Sequence, residues 1–538
     1  MYRPVLRSLL TVALLSASAI PWAAELIMVP MTDGVKLATD VHKPEGAGPW
    51  PVILLRSTYG RVGGGEKEWL EKGYAVVIQD TRGRGQSEGE KHVFYPDGWR
   101  PGLTDGADTV RWISEQPWCN GKIGTVGGSA LGITQMLLAP ATDNVQAQCI
   151  EVAASNFYPD ISFPGGVWRK NLLEGWLSAV QEPHIIPVWK SHPYYDEFWR
   201  YFNTLEQTSK ITAPALFVGA WQDIFAQGTL NGFVARQESA VANANGNNIL
   251  IMKWGIHGPD VSKDYKFNEN RFDLKVGKIR EAFFEHWLKG NSDALDGVAK
   301  VNYYVLGADT PGAPGNEWRT AESWPPYPTT ATKYYLHQDG ALTVTPASES
   351  EASRSFTFDP NNPVPTHGGA ELLLPAGPFD QRIVSNREDV LKFATAPLDA
   401  PLEVTGRMTA RLFVSTDAPD TDFTAKLVDL YPAGDDREIL MTDSIRRVKL
   451  RKSFEKPEPL LSGGEIVELE IDLFSIAWIF DTGHRIGLHV SSSNFQRFEV
   501  NPNTGADFPE DGAEKRKAVN TLWLDTAHPS HLELPLRE

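Results

Sequence analysis

A chain of 538 residues, 41% hydrophobic and 22% charged, is too long for one hydrophobic core and too apolar for a disordered or collagen-like polymer. Two or three folded domains are expected. Lys and Arg total 51 against 68 Asp and Glu, a formal charge of -17, and a field of that sign repels phosphate backbones, which excludes nucleic acid as a partner.

Residues 1–7 are basic and residues 8–20 apolar, followed by Pro21-Trp-Ala-Ala24. Such a run is too short to cross about 30 Å of hydrocarbon as a helix. Residues 1–24 are therefore expected to be a signal peptide, the chain exported to a periplasm or beyond, and no stable membrane anchor kept. Cleavage after Ala19, Ala23 or Ala24 stays open. Export would permit a disulfide between Cys119 and Cys149, the two cysteines present, worth about 3 to 4 kcal/mol by chain entropy. Two separate thiols are the alternative. No HExxH or clustered Cys/His spacing occurs, so neither a metal nor a cofactor is expected.

Short β-type runs at 26–31, 35–42 and 51–56 come first, then a helical piece at 66–72 and the buried-strand run YAVVIQ at 74–79. Asp105-Gly-Ala-Asp108 reads as an acidic cap for a helix over 109–116, ahead of a strand at 123–126. Further apolar runs lie at 150–154, 215–220 and 248–253, with a helix at 276–289 and a strand at 301–306. Continuous apolar strands separated by helices predict an α/β domain with a mostly parallel sheet, over 25–154 and 214–328. The Trp- and Pro-rich stretch 155–213 reads as an inserted helical cap. Beyond the linker Trp324-Pro-Pro-Tyr-Pro328, short alternating strands at 333–337, 407–414, 424–430, 465–473 and 485–491 predict an all-β sandwich, residues 329–538.

A strict G-x-S-x-G search finds Gly85-Gln-Ser87-Glu-Gly89, but no helical run follows it, and Ser87 reads as a turn serine. Ser129, in Gly124-Thr-Val-Gly-Gly-Ser-Ala-Leu-Gly132, has an apolar strand before it and an apolar helical run behind it. That strand–turn–helix arrangement presents a serine hydroxyl above a sheet with a helix N-terminus beneath. The expected partners follow in the order acid, then histidine: Asp223 after the run 215–220, and His257 after the run ending at Lys253. His257 would take the serine proton while Asp223 holds the imidazole tautomer. His367, in a Gly-rich turn, is the rival base. The backbone N–H of Ala130 and the hydroxyl of Tyr59, in the loop after strand 51–56, are the candidate oxyanion donors. Trp221, Phe225, Trp168 and Trp176 are candidate pocket walls.

Several ordered stretches resemble one known family: Arg56-Ser-Thr-Tyr59, Gln79-Asp-Thr-Arg-Gly83 with Ser87-Glu-Gly89, the WISEQPWCNG run at 112–121, and Gly127-Gly-Ser-Ala-Leu-Gly132. Gly219 to Asp223, His257, Gly377-Pro-Phe-Asp-Gln381, Asp422 to Leu427, Ser491 to Phe495 and Asn501 to Gly505 continue the resemblance. The chain is similar to the cocaine esterase and Xaa-Pro dipeptidyl-peptidase family of serine hydrolases, particularly its cocaine esterase branch. The resemblance implies an α/β-hydrolase core, a helical cap after the sixth strand and a C-terminal jelly-roll. It carries the triad roles onto Ser129, Asp223 and His257, and the oxyanion roles onto Ala130 and Tyr59. Many members have Tyr directly after the nucleophile; here Ala130 stands there, so the family's substrates cannot be copied across. The expected activity is ester hydrolysis on a small-molecule ester or amide. A dipeptidyl-peptidase or amide acylase is the alternative, with Glu174, Glu182, Asp196 and Glu197 as candidate ammonium-binding carboxylates, and a binding module with a degenerate core is the third reading. The oligomeric state, a homodimer among the options, is open.

Overall fold

The computed structural model describes residues 24–61, 65–238, 241–258, 262–508 and 512–538, so the expected signal peptide lies outside the described residues save Ala24. The first half contains β1 (Glu25–Pro30), β2 (Lys36–His42), β3 (Trp50–Ser57), α1 (Glu66–Glu71), β4 (Ala75–Asp80), α2 (Asp105–Ser114), β5 (Cys119–Gly128), α3 (Ala130–Leu138) and β6 (Ala147–Glu151). Three short helices, α4 (Lys170–Ala179), α5 (Ile185–Lys190) and α6 (Glu197–Arg200), separate β6 from β7 (Ala215–Ala220). Then follow α7 (Ala226–Gln237), β8 (Ile249–Lys253), α8 (Val276–Lys289), β9 (Val301–Gly307) and β10 (Glu317–Ala321).

These ten strands form one open sheet in the order β1-β2-β4-β3-β5-β6-β7-β8-β9-β10. The strands from β4 across to β9 run parallel, and antiparallel partners flank them. Every residue of β4 and of β7 is buried, as expected for strands covered on both faces. Alternate side chains divide between the layers: Val76, Ile78, Leu216 and Val218 pack with Trp69 of α1 and Phe283, Phe284 and Leu288 of α8. On the opposite face Ala75 and Val77 meet Val110 and Ile113 of α2, while Phe217 meets Ile133 of α3 and Phe233 of α7.

The second half is β-rich: β11 (Thr329–Leu336), β12 (Leu342–Thr343), β13 (Ser353–Phe358), a single turn α9 (Arg382–Ser385), β14 (Leu391–Ala394), β15 (Leu402–Thr416), β16 (Asp422–Leu430), β17 (Glu438–Arg447), β18 (Val467–Phe480), β19 (Arg485–Ser491), β20 (Ala518–Trp523) and β21 (His531–Arg537). One sheet is β14-β19-β16-β17. The other centres on β15, which pairs antiparallel with β18, β20 and β21. Trp478 and Ile479 of β18 also pair parallel with Leu306 and Gly307 of β9, joining the two halves through backbone.

Two boundaries differ from expectation for identifiable reasons. The apolar run predicted as a strand at 150–154 yields β6 three residues earlier, because Val152 takes a positive φ of 41° and ends the strand. The acidic segment at 105–108 lies inside α2 rather than ahead of it. Its Asp105 is buried and ion-paired with Arg82 at 2.6 Å, and Asp108 accepts from the backbone and hydroxyl of Thr32, each at 2.8 Å.

Close packing of α3 on β6 depends on Gly132, where a Cβ would stand 2.8 Å from the Glu151 carbonyl oxygen and 2.9 Å from the Ala153 methyl. The cysteines are free thiols, and sheet register explains why. Cys149 stands opposite Val126 of β5, whereas Cys119 lies at the far end of that strand, about 20 Å away at ~3.3 Å per residue. A disulfide needs Cα atoms within about 7 Å. Dithiothreitol is therefore expected to leave the melting temperature unchanged, and the denatured chain to titrate two thiols without reduction; a reductant-sensitive melt would contradict this register. Gly132→Ala is expected to lower stability by about 1–3 kcal/mol in urea unfolding, the range for overpacking a close contact.

Candidate active site

Ser129 occupies the turn between β5 and α3 with φ 55° and ψ −124°, a conformation L-residues seldom adopt. The surroundings hold it there. Its amide donates to the Glu151 carbonyl at 3.0 Å, and its own carbonyl accepts from Gly132 and Ile133 at 2.9 and 2.8 Å. Gly127, at φ 150°, passes so near Leu131 that a Cβ would fall 2.5 Å from the leucine Cβ. Backbone strain of this kind concentrates at functional sites.

His257 reaches Ser129 from the loop beyond β8. Its Nε2 lies 2.8 Å from Ser129 Oγ and its Nδ1 2.7 Å from Asp223 Oδ2. Asp223 follows β7, is 2% exposed, and turns its other oxygen to the Phe225 amide at 2.7 Å. The Phe225 ring stands edge-on to the imidazole, centroids 5.5 Å apart. A carboxylate accepting from Nδ1–H leaves Nε2 as the acceptor facing the serine hydroxyl.

Other parts of the molecule brace the Asp223 loop. The preceding Gln222 donates through its amide group to the Leu440 and Met441 carbonyls at 3.2 and 3.3 Å, contacts with the β-rich half. Arg169, just before α4, donates to the Ile224 carbonyl at 3.1 Å and to the Ala370 carbonyl at 2.7 Å. Burial pulls its guanidinium down to about 10, still a cation at neutral pH. Behind Asp223, burial pushes the Asp160 carboxyl up to about 6.

Ser129 opens into an apolar pocket assembled from three regions. Ile161, Leu172, Leu173, Trp176 and Trp189 come from the segment between β6 and β7; Phe94, Ala130, Ile133, Ile224 and Phe225 from the α/β half; Leu372 from the β-rich half. Among the described residues no charged side chain lines it. Ala130, opening α3, presents one of the first-turn amides that have no intrahelical acceptor. Tyr59 follows β3 and is half exposed, its hydroxyl accepting from the Trp176 indole N–H at 3.1 Å.

Of the four candidate wall residues, Trp176 and Phe225 line this pocket, and Trp168 and Trp221 lie elsewhere. Trp168 is turned the other way, against Phe163 and Phe508, with its N–H on Glu174 at 3.2 Å. Trp221 packs on Trp324 and donates to the Tyr304 carbonyl at 2.6 Å, lining the separate polar cavity behind Asp223. Ser87 is a turn serine: its hydroxyl donates to the Asp80 carbonyl at 2.8 Å and accepts from the Ala38 amide at 2.9 Å. The rival His367 packs against Phe379 in the β-rich half, 5.0 Å between centroids.

The four acidic residues considered as ammonium receptors are otherwise engaged. Glu174 pairs with Lys170 and Lys190 at 3.2 and 2.9 Å. Glu182 is fully buried, pairs with Arg84 and accepts from the Val93 amide at 2.8 Å. Asp196 caps α6 and holds His192 at 2.6 Å, and Glu197 stands in solvent beside Arg200. Among the described residues no group of three His, Cys, Asp or Glu side chains is gathered to hold a metal ion.

Comparison with known proteins agrees with this architecture. The X-Pro dipeptidyl-peptidase (S15 family) model matches residues 33–184 and 179–259, and the X-Pro dipeptidyl-peptidase C-terminal non-catalytic domain model matches 294–533. Cocaine esterase of Rhodococcus sp. (strain MB1 Bresler) is 34% identical over 95% of this chain and 98% of its own. An aminopeptidase from the marine sediment archaeon Thaumarchaeota archaeon shares the fold, with a TM-score of 0.81 at 24% identity over 96% of this chain and 97% of that one. An α-amino acid ester hydrolase does so with a TM-score of 0.78 at 23% identity, over 99% and 98% of the two chains. The chain belongs to the family of serine hydrolases that includes cocaine esterase and the X-Pro dipeptidyl-peptidases.

Proposed function

We propose that the protein hydrolyses carboxylic esters carrying an uncharged acyl group, through an acyl-enzyme on Ser129. The observation that carries this reading is the hydrogen-bonded line Ser129–His257–Asp223 at 2.8 and 2.7 Å, opening into an apolar pocket with no charged lining residue among the described ones. Ser129 Oγ attacks the ester carbonyl carbon while its proton passes to His257 Nε2, and Asp223 stabilises the imidazolium. The Ala130 N–H and the Tyr59 hydroxyl donate to the oxyanion. The tetrahedral species collapses with loss of the alkoxide, which takes the imidazolium proton and leaves as the alcohol. Water, deprotonated by His257, then attacks the acyl carbon, and collapse releases the carboxylic acid and restores Ser129.

Paired carboxylates argue against the dipeptidyl-peptidase alternative. A substrate ammonium brought into this pocket would lose its hydration without gaining a partner among the described residues, at a cost of several kcal/mol. An aromatic or branched acyl group meets Phe94, Leu172, Trp176 and Phe225 and loses only water. The N-terminal basic and apolar pattern supports export as part of the same proposal.

A fluorophosphonate probe is expected to label Ser129, located by peptide mapping. Ser129→Ala should lower kcat for aryl esters by about four to six orders of magnitude. Turnover of phenyl or nitrophenyl benzoates should exceed that of Xaa-Pro anilides. Dominant anilide turnover would make the protein a peptidase, and full ester turnover by Ser129→Ala would remove Ser129 from the chemistry.

A further inference from the structure

Tyr59 poses a physical problem. A transition-state donor must be fixed before the charge develops, since reorganising it during reaction forfeits the stabilisation. Yet this phenol is 50% exposed and sits in a loop, its amide bonded to Ser57 Oγ at 3.0 Å and followed by Gly60 at φ 98°. Among the described residues, nothing in that local structure fixes the ring.

The contact that does so comes from 117 residues along the chain: the indole N–H of Trp176 donates to the Tyr59 oxygen at 3.1 Å. Indole nitrogen has only a donor to offer, so the polarity of the bond is settled. The phenol accepts there, and its own proton must point elsewhere. A hydroxyl that accepts one hydrogen bond also becomes a stronger donor in the next, because the chain polarises. Trp176 is itself well held. It lies on α4, whose Leu172, Leu173 and Leu177 are buried, and its ring stacks on Phe94 at 5.7 Å with 3° between planes. Phe94 packs edge-on against Phe157, 5.4 Å between centroids. Rigidity therefore passes from the buried core through Phe94 and Trp176 to an exposed phenol.

We infer that Trp176, besides walling the pocket, is the positioning residue of the oxyanion site: its N–H sets the direction of the Tyr59 hydroxyl and strengthens it as a donor. The inference rests on the ester-hydrolase reading with Tyr59 as donor. The two roles of Trp176 separate by parameter. A wall contact acts on substrate and transition state alike and appears in KM, whereas an aimed donor acts only on the transition state and appears in kcat.

The test is a double-mutant cycle on the full chain, with Trp176→Phe, which keeps an aromatic wall but has no N–H, Tyr59→Phe, and the pair. Steady-state kinetics would use a phenyl benzoate, and thermal melts would check that each variant folds. Tyr59→Phe is expected to lower kcat by about 100-fold, the loss seen on removing one oxyanion donor. Trp176→Phe should lower it by about tenfold with KM nearly unchanged, and should lower it no further in the Tyr59→Phe background, since the group it acts through is gone. An equal loss in both backgrounds, a loss confined to KM, or an unaltered kcat would overturn the inference while leaving the esterase reading intact. Full activity of Tyr59→Phe would instead remove the tyrosine from the oxyanion site, and the inference with it. If Trp176→Phe melts early, Trp176→His, which keeps a ring N–H, decides between the two roles: a kcat above that of an equally unstable Trp176→Leu supports the inference, and equal kcat values overturn it.

Discussion

Everything at the site depends on one backbone turn. Ser129 can stand above the sheet only if the chain reverses from β5 into α3 within a single residue, and that residue takes φ 55° as the consequence. A turn so tight brings helix and strand closer than side chains normally permit. Gly127 and Gly132 remove the Cβ atoms that would collide with Leu131 and with the Glu151 carbonyl. The Ser129 amide bonded to that same carbonyl shows where the strain is balanced: the neighbouring strand β6 carries it. An unfavourable conformation of about 1–3 kcal/mol is tolerable at one residue when the surrounding sheet over-determines it.

Parallel register does the rest. Gly128 stands opposite Glu151, Glu151 opposite Val218, and Ala220 opposite Lys253. The ends of β5, β6, β7 and β8 are thereby aligned, and the loops leaving them deliver Ser129, Asp223 and His257 to one edge, where open α/β sheets gather their reactive groups. Loops are soft, however, and the Asp223 loop is braced from outside the sheet by Arg169 and by contacts from Gln222 to β17 carbonyls. The β-rich half thus contributes to the geometry of a hydrogen-bonded line whose three residues all belong to the α/β half.

The grouping of Ser129, Asp223 and His257 was legible because each follows an apolar strand run, a local signal carried by a few consecutive residues. The α/β class was legible for the same reason. Pocket walls were legible only in part, since aromatic content says nothing about which way a ring turns: Trp168 and Trp176 lie eight residues apart in sequence, yet only the second faces Ser129. Phe94, in a loop without periodicity, and Leu372, far along the chain, reach the pocket through tertiary packing that no local pattern encodes. β17 lacks strict alternation and so carries no strand signal of its own. The segment at 164–167 packs so closely on it that a Cβ at Gly165 would strike the Ile445 carbonyl, and Val167 buries Ile445 and Phe498 with itself.

Leu372 and its neighbour Leu373 have a wider meaning. Leu373 fills the notch left by Gly175 on α4, which seats Leu372 in the pocket wall, and both belong to a segment that makes no part of the parallel sheet. A change of side-chain size there leaves untouched the strand ends that hold Ser129, Asp223 and His257. The architecture thereby divides the two tasks between separate parts of the chain: the parallel sheet fixes the hydrogen-bonded line, and a segment outside it shapes one wall of the pocket.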